Sequence, residues 1–358
     1  MRLEERPAKR DLRVEAKSFA SCLMPQTFSL HQGVVVMKTI QTIPISRIDL
    51  TDETFSVNFI PDLQKLRSSI EEMGLIQPVL LRKKPDGYQI LCGFRRVSIV
   101  QELGGSDILS VVLDEGEKDD LRLFSISLHD NLTTRGFNPI EIAIALDKLV
   151  DRFGIDPAVV IKKYLPLFSL EKNEKILNTY LFLARMEDEV KRYVLKEEVS
   201  RSNIRILAHF TSGERIALVP LISPLKLSEN RLREMLTLFE EISRRDRLTV
   251  RDIARRPEIE NILSQKEFTP SQKAEHMKKV LMDLRYPRMR QMEEDFEKKR
   301  KGLNLPSGVS LRHQPFFEGK GLKIEFQIET VEEYRSILSF LLSLPDKKEF
   351  QEMIKSVG

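Results

Sequence analysis

The feature that most constrains this chain is a change of hydrophobic period near Asp114. Upstream, from Ile40, short extended runs alternate with segments whose apolar residues recur every three or four positions. Downstream the helical spacing continues almost alone as far as Pro306. Ile43-Pro44-Ile45 opens an extended segment ending near Leu50, and Thr51-Asp52-Glu53 is polar turn material. Leu63, Leu66, Ile70 and Met73 share one helical face that predicts a packed helix, with Gly74 where a C-terminal cap belongs. Val79 to Arg82 and Tyr88 to Cys92 flank Lys84-Pro85-Asp86-Gly87 as a hairpin. That hairpin runs into Gly93-Phe94-Arg95-Arg96. Helical spacing then resumes through Val97, Val100 and Leu103, stops at Gly104-Gly105, and yields to a strand over Ile108 to Leu113.

Beyond Asp114, Leu121, Phe124 and Leu128 mark one helix, and Asn138-Pro139 is a cap followed by a first-position proline, opening another. Short helices follow over 157–167, 171–186, 187–195 and 202–210, a density that suits a helix-turn-helix array; 228–242 and 249–255 continue it. Residues 271–301 are highly charged and helical in propensity, broken at Tyr286-Pro287, and read as a solvated connector. Leu322 to Ile328 alternates strictly, as a half-buried strand does, and helices over 331–344 and 347–354 close a small α+β unit. The fold class expected is α+β, mainly helical. The expected divisions are 1–36, a disordered arm or a misplaced start upstream of Met37; 37–136, mixed α/β; 137–262, all-helical; 263–305, the connector; and 306–358.

Hydrophobic residues are 41% and charged residues 31% of the 358, enough apolar side chain to exclude wholesale disorder. The formal net charge of +4 admits an anionic partner only if positive charge is localised. Cys22 and Cys92 cannot build a disulfide framework, and His31, His129, His209, His276 and His313 never approach zinc-ligand spacing, so a reducing cytoplasm and no zinc are expected. The longest apolar stretch, 337–344, falls far short of the roughly 20 residues that span a bilayer.

The strongest local motif is strand, Gly93, Arg95, Arg96, helix. A helix N-terminus presents unpaired amides, glycine admits close approach to the backbone, and arginine bonds phosphoryl oxygens bidentately. Three stretches in register give this motif a context. Gly74-Leu75-Ile76-Gln77-Pro78, Gly93-Phe94-Arg95-Arg96-Val97 and Asp130-Asn131-Leu132, the last running on to Asn138-Pro139-Ile140-Glu141, resemble the conserved boxes of the ParB chromosome- and plasmid-partition family over about residues 43–253. The resemblance implies a ParB/sulfiredoxin-like N-terminal domain that binds CTP and Mg2+. It places triphosphate contacts at Gly93, Arg95 and Arg96, and nucleotide or metal contacts at Asp130 and Asn131. Phe94 stands where the family has glutamate, Asp130 is one methylene shorter than its counterpart, and Thr133-Thr134 replaces Gln-Arg. These departures predict weak nucleotide binding and poor or absent hydrolysis.

By the same resemblance, Asn173 to Val190 contains the second helix of a helix-turn-helix, with Leu177, Leu181 and Val190 in the core. Lys172, Asn173, Lys175, Asn178 and Thr179 would then line the face that enters the major groove of double-stranded DNA. Arg201 and Arg205 would clamp the backbone. Phe182 replaces a family arginine. The implied protein is a nucleoid-associated homodimer, joined through its C-terminal unit and partnered by a partition ATPase. The alternatives are a transcription regulator with a vestigial nucleotide site and a metal-dependent nuclease using Asp119, Asp120 and Asp130. Sulfiredoxin chemistry is disfavoured, because its cysteine slot is Phe94 and Cys92 precedes the glycine.

Overall fold

The structure, a computed structural model, describes residues 40–113, 119–314, 317 and 321–357. The 1–36 arm, Cys22 and His31 lie outside them. The protein is mainly helical α+β, and the chain divides into two compact units: 1–56 with 61–127, and 57–60 with 128–358.

The first unit is built on a five-stranded mixed sheet of order β1-β5-β3-β4-β2. Its strands are β1 (Ile40–Pro44), β2 (Ile48–Asp49), β3 (Val79–Lys84), β4 (Gly87–Cys92) and β5 (Asp107–Leu113). β3 and β4 form the antiparallel hairpin, while β3 runs parallel to β5 and β4 parallel to β2. Ile43, Ile48, Val79, Leu81, Ile90, Val97, Ile108 and Val112 make the core of one face. Helix α1 (Gln64–Met73) departs from expectation. It has no buried residue, Met73 is 73% exposed, and Arg67 joins Glu102 of α2 (Phe94–Glu102) at 2.8 Å. The 3–4 spacing identified a helix correctly but overstated how much of its stripe is covered.

Between β3, β4 and the start of α3 (Asp120–Thr134) lies a polar chain that is buried at Arg82 and Gln89 and reaches solvent at Asp120. The Arg82 Nε donates to Gln89 Oε1 at 2.9 Å and its Nη1 to Asp120 Oδ1 at 2.6 Å, with the guanidinium 5.5 Å from the Phe55 ring centre. The Gln89 amide in turn donates to Asp52 at 2.5 Å. Burial raises the Asp52 pKa, but hydrogen bonds from Thr54 and Gln89 and the charge of Lys84 outweigh it and hold the carboxyl below its usual range.

In the second unit α4 (Pro139–Asp147) opens with a complete capping box. Asn138 Oδ1 accepts from Glu141 N at 2.9 Å and Glu141 Oε2 accepts from Asn138 N at 3.2 Å. A wide π turn (Lys148–Arg152) follows, closed by Phe153 N donating to Lys148 O at 2.9 Å. Then come α5 (Pro157–Val159), a second π turn (Val160–Tyr164), a 3-10 turn (Leu165–Phe168) and α6 (Glu174–Arg185). Next are α7 (Asp188–Lys196), α8 (Arg201–Leu207), α9 (Ser212–Ile222), α10 (Glu229–Asp246), α11 (Val250–Ala254) and α12 (Pro257–Ser264). α9 and α12 were not expected from periodicity.

The charged segment is more than a solvated connector. α13 (Pro270–Arg285) buries Ala274, Met277 and Leu281 as it packs on α10 and α12. It breaks at Tyr286-Pro287 into α14 (Pro287–Gly302). Phe296 and Leu303 join Leu311 of β6 (Val309–His313), Leu344 and Met353 in a separate core. β6 pairs with β7 (Leu322–Phe326), and α15 (Val331–Ser343) and α16 (Lys348–Val357) complete this part.

Candidate functional site

The N-terminal turn works through its backbone. Gly93 caps α2 at φ +100°, and a Cβ there would lie 2.7 Å from a Val79 methyl, so neither the conformation nor the space suits a side chain. No side-chain hydrogen bond caps α2. Arg96 Nη1 donates to the carbonyls of Gln77 and Pro78 at 2.9 and 3.0 Å, tying the Gly74–Pro78 stretch to the arginine turn. Sequence assigned Arg96 to phosphate; the structure shows it holding the loop beside the turn. Arg95 is half-buried, and Phe94 packs against the sheet core. Cys92 is buried.

Asp130 and Asn131 occupy the end of α3, in the second unit. The expectation that Asn131 offers its oxygen to metal meets an arginine instead: Asn131 Oδ1 accepts from Arg135 Nε at 2.7 Å. Arg135 Nη1 also bonds Glu141 at 2.7 Å, and its guanidinium lies 5.1 Å from the Phe137 ring centre. The Glu141 side chain is 1% exposed. The Thr133 and Thr134 hydroxyls turn back to main-chain carbonyls, each including that of Asp130, and do not take over the role of the family's Gln-Arg pair. Arg135 and Glu141 escaped the sequence reading, since Arg135 falls at a variable position of the box and Glu141 reads simply as a capping residue. Among the described residues no group of three His, Cys, Asp or Glu side chains is placed to hold a metal. Asp119 accepts from Arg122 N at 3.1 Å, and Asp120 is engaged with Arg82.

The third set belongs to α6 and α8, which pack together. Asn173 caps α6, its side chain accepting from Lys175 N at 2.8 Å. Lys172, Asn173, Lys175 and Asn178 are exposed, as are Arg201 and Arg205, and the four cations form no ion pair among the described residues. Thr179 does not share that face. It is 5% exposed and its hydroxyl donates to Lys175 O at 2.7 Å, because five residues past Glu174 it has rotated into the packed side of α6. Leu177 and Val190 are buried and Leu181 is half-buried. Phe182 lies 5.1 Å from the guanidinium of Arg215, which forms a two-pronged bond with Glu187 at 2.6 and 2.9 Å. That bond holds the Glu187 pKa at about 2 against the opposing effect of burial. Asn203, two residues from each arginine of α8 and so on its opposite face, is fully buried and donates to Glu229 O at 3.0 Å, fixing α8 to the start of α10.

The family model for the ParB N-terminal domain matches residues 30–132. The chain is 33% identical to a probable chromosome-partitioning protein ParB of Chlamydia muridarum, over 41% of this chain and 60% of that one. It is 31% identical to the chromosome-partitioning protein ParB of Myxococcus xanthus, over 40% and 46%, and 27% identical to a nucleoid occlusion protein of Geobacillus sp., over 49% and 60%. The chain thus spans about half the length of the curated relatives it matches. A solved structure of C-terminally truncated ParB from Caulobacter crescentus with CTP-gamma-S is similar at TM-score 0.24 and 24% identity, covering 49% of this chain and 94% of that one. Another, with the centromeric parS site, is similar at TM-score 0.32 and 19% identity, covering 59% and 95%. No helix among the described residues is long and apolar enough to cross a membrane.

Proposed function

We propose that this chain is a DNA-binding, partition-type protein that acts as a homodimer on a short, palindromic double-stranded site. The observation that carries the reading is the exposed Lys172 just ahead of α6, Lys175 on α6, and Arg201 and Arg205 on α8, which packs on α6; none of the four forms an ion pair among the described residues, and Asn178 is exposed on α6 as well. Several other arginines of this unit are met by carboxylates, as in Arg215–Glu187, Arg231–Glu275 and Arg285–Glu241. Here the charge is left for phosphate, and the amide of Asn178 is available to a base edge. Relatives named for chromosome partitioning and nucleoid occlusion support a chromosomal role, with a partition ATPase as the expected partner.

The ParB N-terminal domain acts as the switch. The Gly93 turn takes the triphosphate of CTP on backbone amides with Arg95, and Arg96 holds the turn in shape. Asp130 is the residue that would hold Mg2+, and Asn131 would join only by leaving Arg135. With Phe94 in the glutamate position, binding is weak and hydrolysis slow or absent.

Anisotropy titration across a salt series tests the DNA reading. Lys172→Ala/Lys175→Ala should reduce the slope of log affinity against log salt by about 2 and erase site preference. Wild-type binding that ignores salt would refute it. Calorimetry with CTP and Mg2+ tests the switch, and absence of heat removes it. Genome-wide immunoprecipitation separates partition from simple regulation: broad spreading from a few peaks supports the former, narrow peaks the latter.

A further inference from the structure

A second basic surface lies at the end of α10 and along α11. Six of the 13 residues from Arg244 to Arg256 are arginine. Two of these are committed. Arg244 reaches Glu240 at 2.7 Å, while Arg245 holds Asp246 at 2.7 Å and donates to the carbonyls of Leu284 and Arg285 that end α13. The other four, Arg247, Arg251, Arg255 and Arg256, form no ion pair and no side-chain hydrogen bond among the described residues. Arg247, Arg251 and Arg255 are exposed, and Arg251 and Arg255, four positions apart, lie one above the other on the same helical face.

Helix ends explain part of this placement, since cations are favoured near C-termini, but that effect is small and fades within a turn. The nearby acids make their hydrogen bonds elsewhere, Asp246 with Arg245 and Asp252 with the Thr249 cap at 2.8 Å to its N–H and 2.6 Å to its hydroxyl, although the charge of Arg256 still acts on Asp246 and that of Arg255 on Asp252. The basic run Lys298 to Lys301 differs, for Lys299 reaches Glu352 and Arg300 reaches Glu297. Placement also favours one partner. α11 packs on α9 and α10, α10 packs on α8 with its Arg201 and Arg205, and α8 packs on α6, so the arginines are carried on the same helical body as the helix-turn-helix.

We propose that Arg247, Arg251, Arg255 and Arg256 form a second contact with the DNA backbone, engaging phosphates bidentately without reading sequence. This rests on the DNA-binding reading above and adds a separate point of attachment to it.

The test uses the full chain, a genomic fragment recovered with it by immunoprecipitation, and a random-sequence duplex of equal length, titrated across a salt series. Arg251→Ala/Arg255→Ala should weaken both duplexes by the same factor and reduce the salt slope by about 2, while Arg251→Lys/Arg255→Lys keeps the slope. A thermal melt matching wild type confirms that the variant is folded. An unchanged slope and affinity in the alanine variant overturns the inference, and it leaves the DNA reading standing if Lys172→Ala/Lys175→Ala still loses site preference. Unchanged DNA binding together with lost binding to polyglutamate also overturns it, assigning the surface to an acidic polypeptide. A wild-type chain that binds neither duplex overturns the DNA reading and this inference together.

Discussion

At Gly93 two independent constraints meet, a left-handed backbone and a methyl group 2.7 Å from any added Cβ. Gly93→Ala should therefore destabilise the first unit by about 1–3 kcal/mol, read by denaturant unfolding, and weaken any nucleotide heat along with it. Glu187 gives a pH prediction. Its folded pKa of about 2 lies below the ordinary glutamate value of 4.5, so its contribution is full above pH 4.5 and is lost as pH falls toward 2. The carboxylate keeps some solvent contact, so screening reduces the effect to roughly 2 kcal/mol. Acid titration of stability should show this loss in wild type and not in Glu187→Gln. Residues whose role is local were legible in the sequence: the Gly93 turn, the Asn138 cap, the buried Leu177 and Val190. Arg82 with Asp120, and Arg215 with Glu187, were not, because each pair joins positions 38 or 28 residues apart and no periodicity reports such a pairing.

Among the elements, the capping box of α4 has the clearest consequence. Asn138→Ala removes the acceptor for Glu141 N and the Nδ2 bond to Phe59 O at 3.3 Å. A loss of about 1–2 kcal/mol in thermal or denaturant unfolding is expected. The hairpin, the α2 turn and most helices were readable because their signals are short-range. α9 was missed because Gly213 and Pro220 fall within its 11 residues, although its capping box at Thr211 and Glu214 was present to be seen. α12 was missed because Arg255-Arg256-Pro257 reads as a terminator, whereas Pro257 is the first-turn proline of the next helix. α1 shows the opposite error, since an apolar stripe proves amphipathicity and not burial. Thr179 shows how sensitive a predicted binding face is to rotation, as its immediate neighbour Asn178 is exposed.

For the molecule as a whole, the net charge of +4 says little, and the distribution says more. Cations without an ion pair among the described residues stand on α6, α8 and α11, whereas the four arginines of α10 are each met by a carboxylate. The C-terminal part leaves apolar groups in the open: Val331 is 61% and Leu342 79% exposed on α15, and Ile324 and Phe326 of β7 are 36% and 37% exposed. If this face joins two copies, Val331→Asp/Leu342→Asp should convert dimer to monomer in analytical ultracentrifugation without lowering the melting temperature, since neither side chain is in the core. DNA affinity for a two-half site should then fall while the affinity of a single half-site is retained.

The two π turns, Lys148–Arg152 and Val160–Tyr164, bracket the approach to the helix-turn-helix. Each makes room for one residue beyond a normal turn. These are accordingly the places where the chain can grow shorter by one amino acid, the turn tightening to α geometry, and length variation among descendants of this gene is expected to collect there.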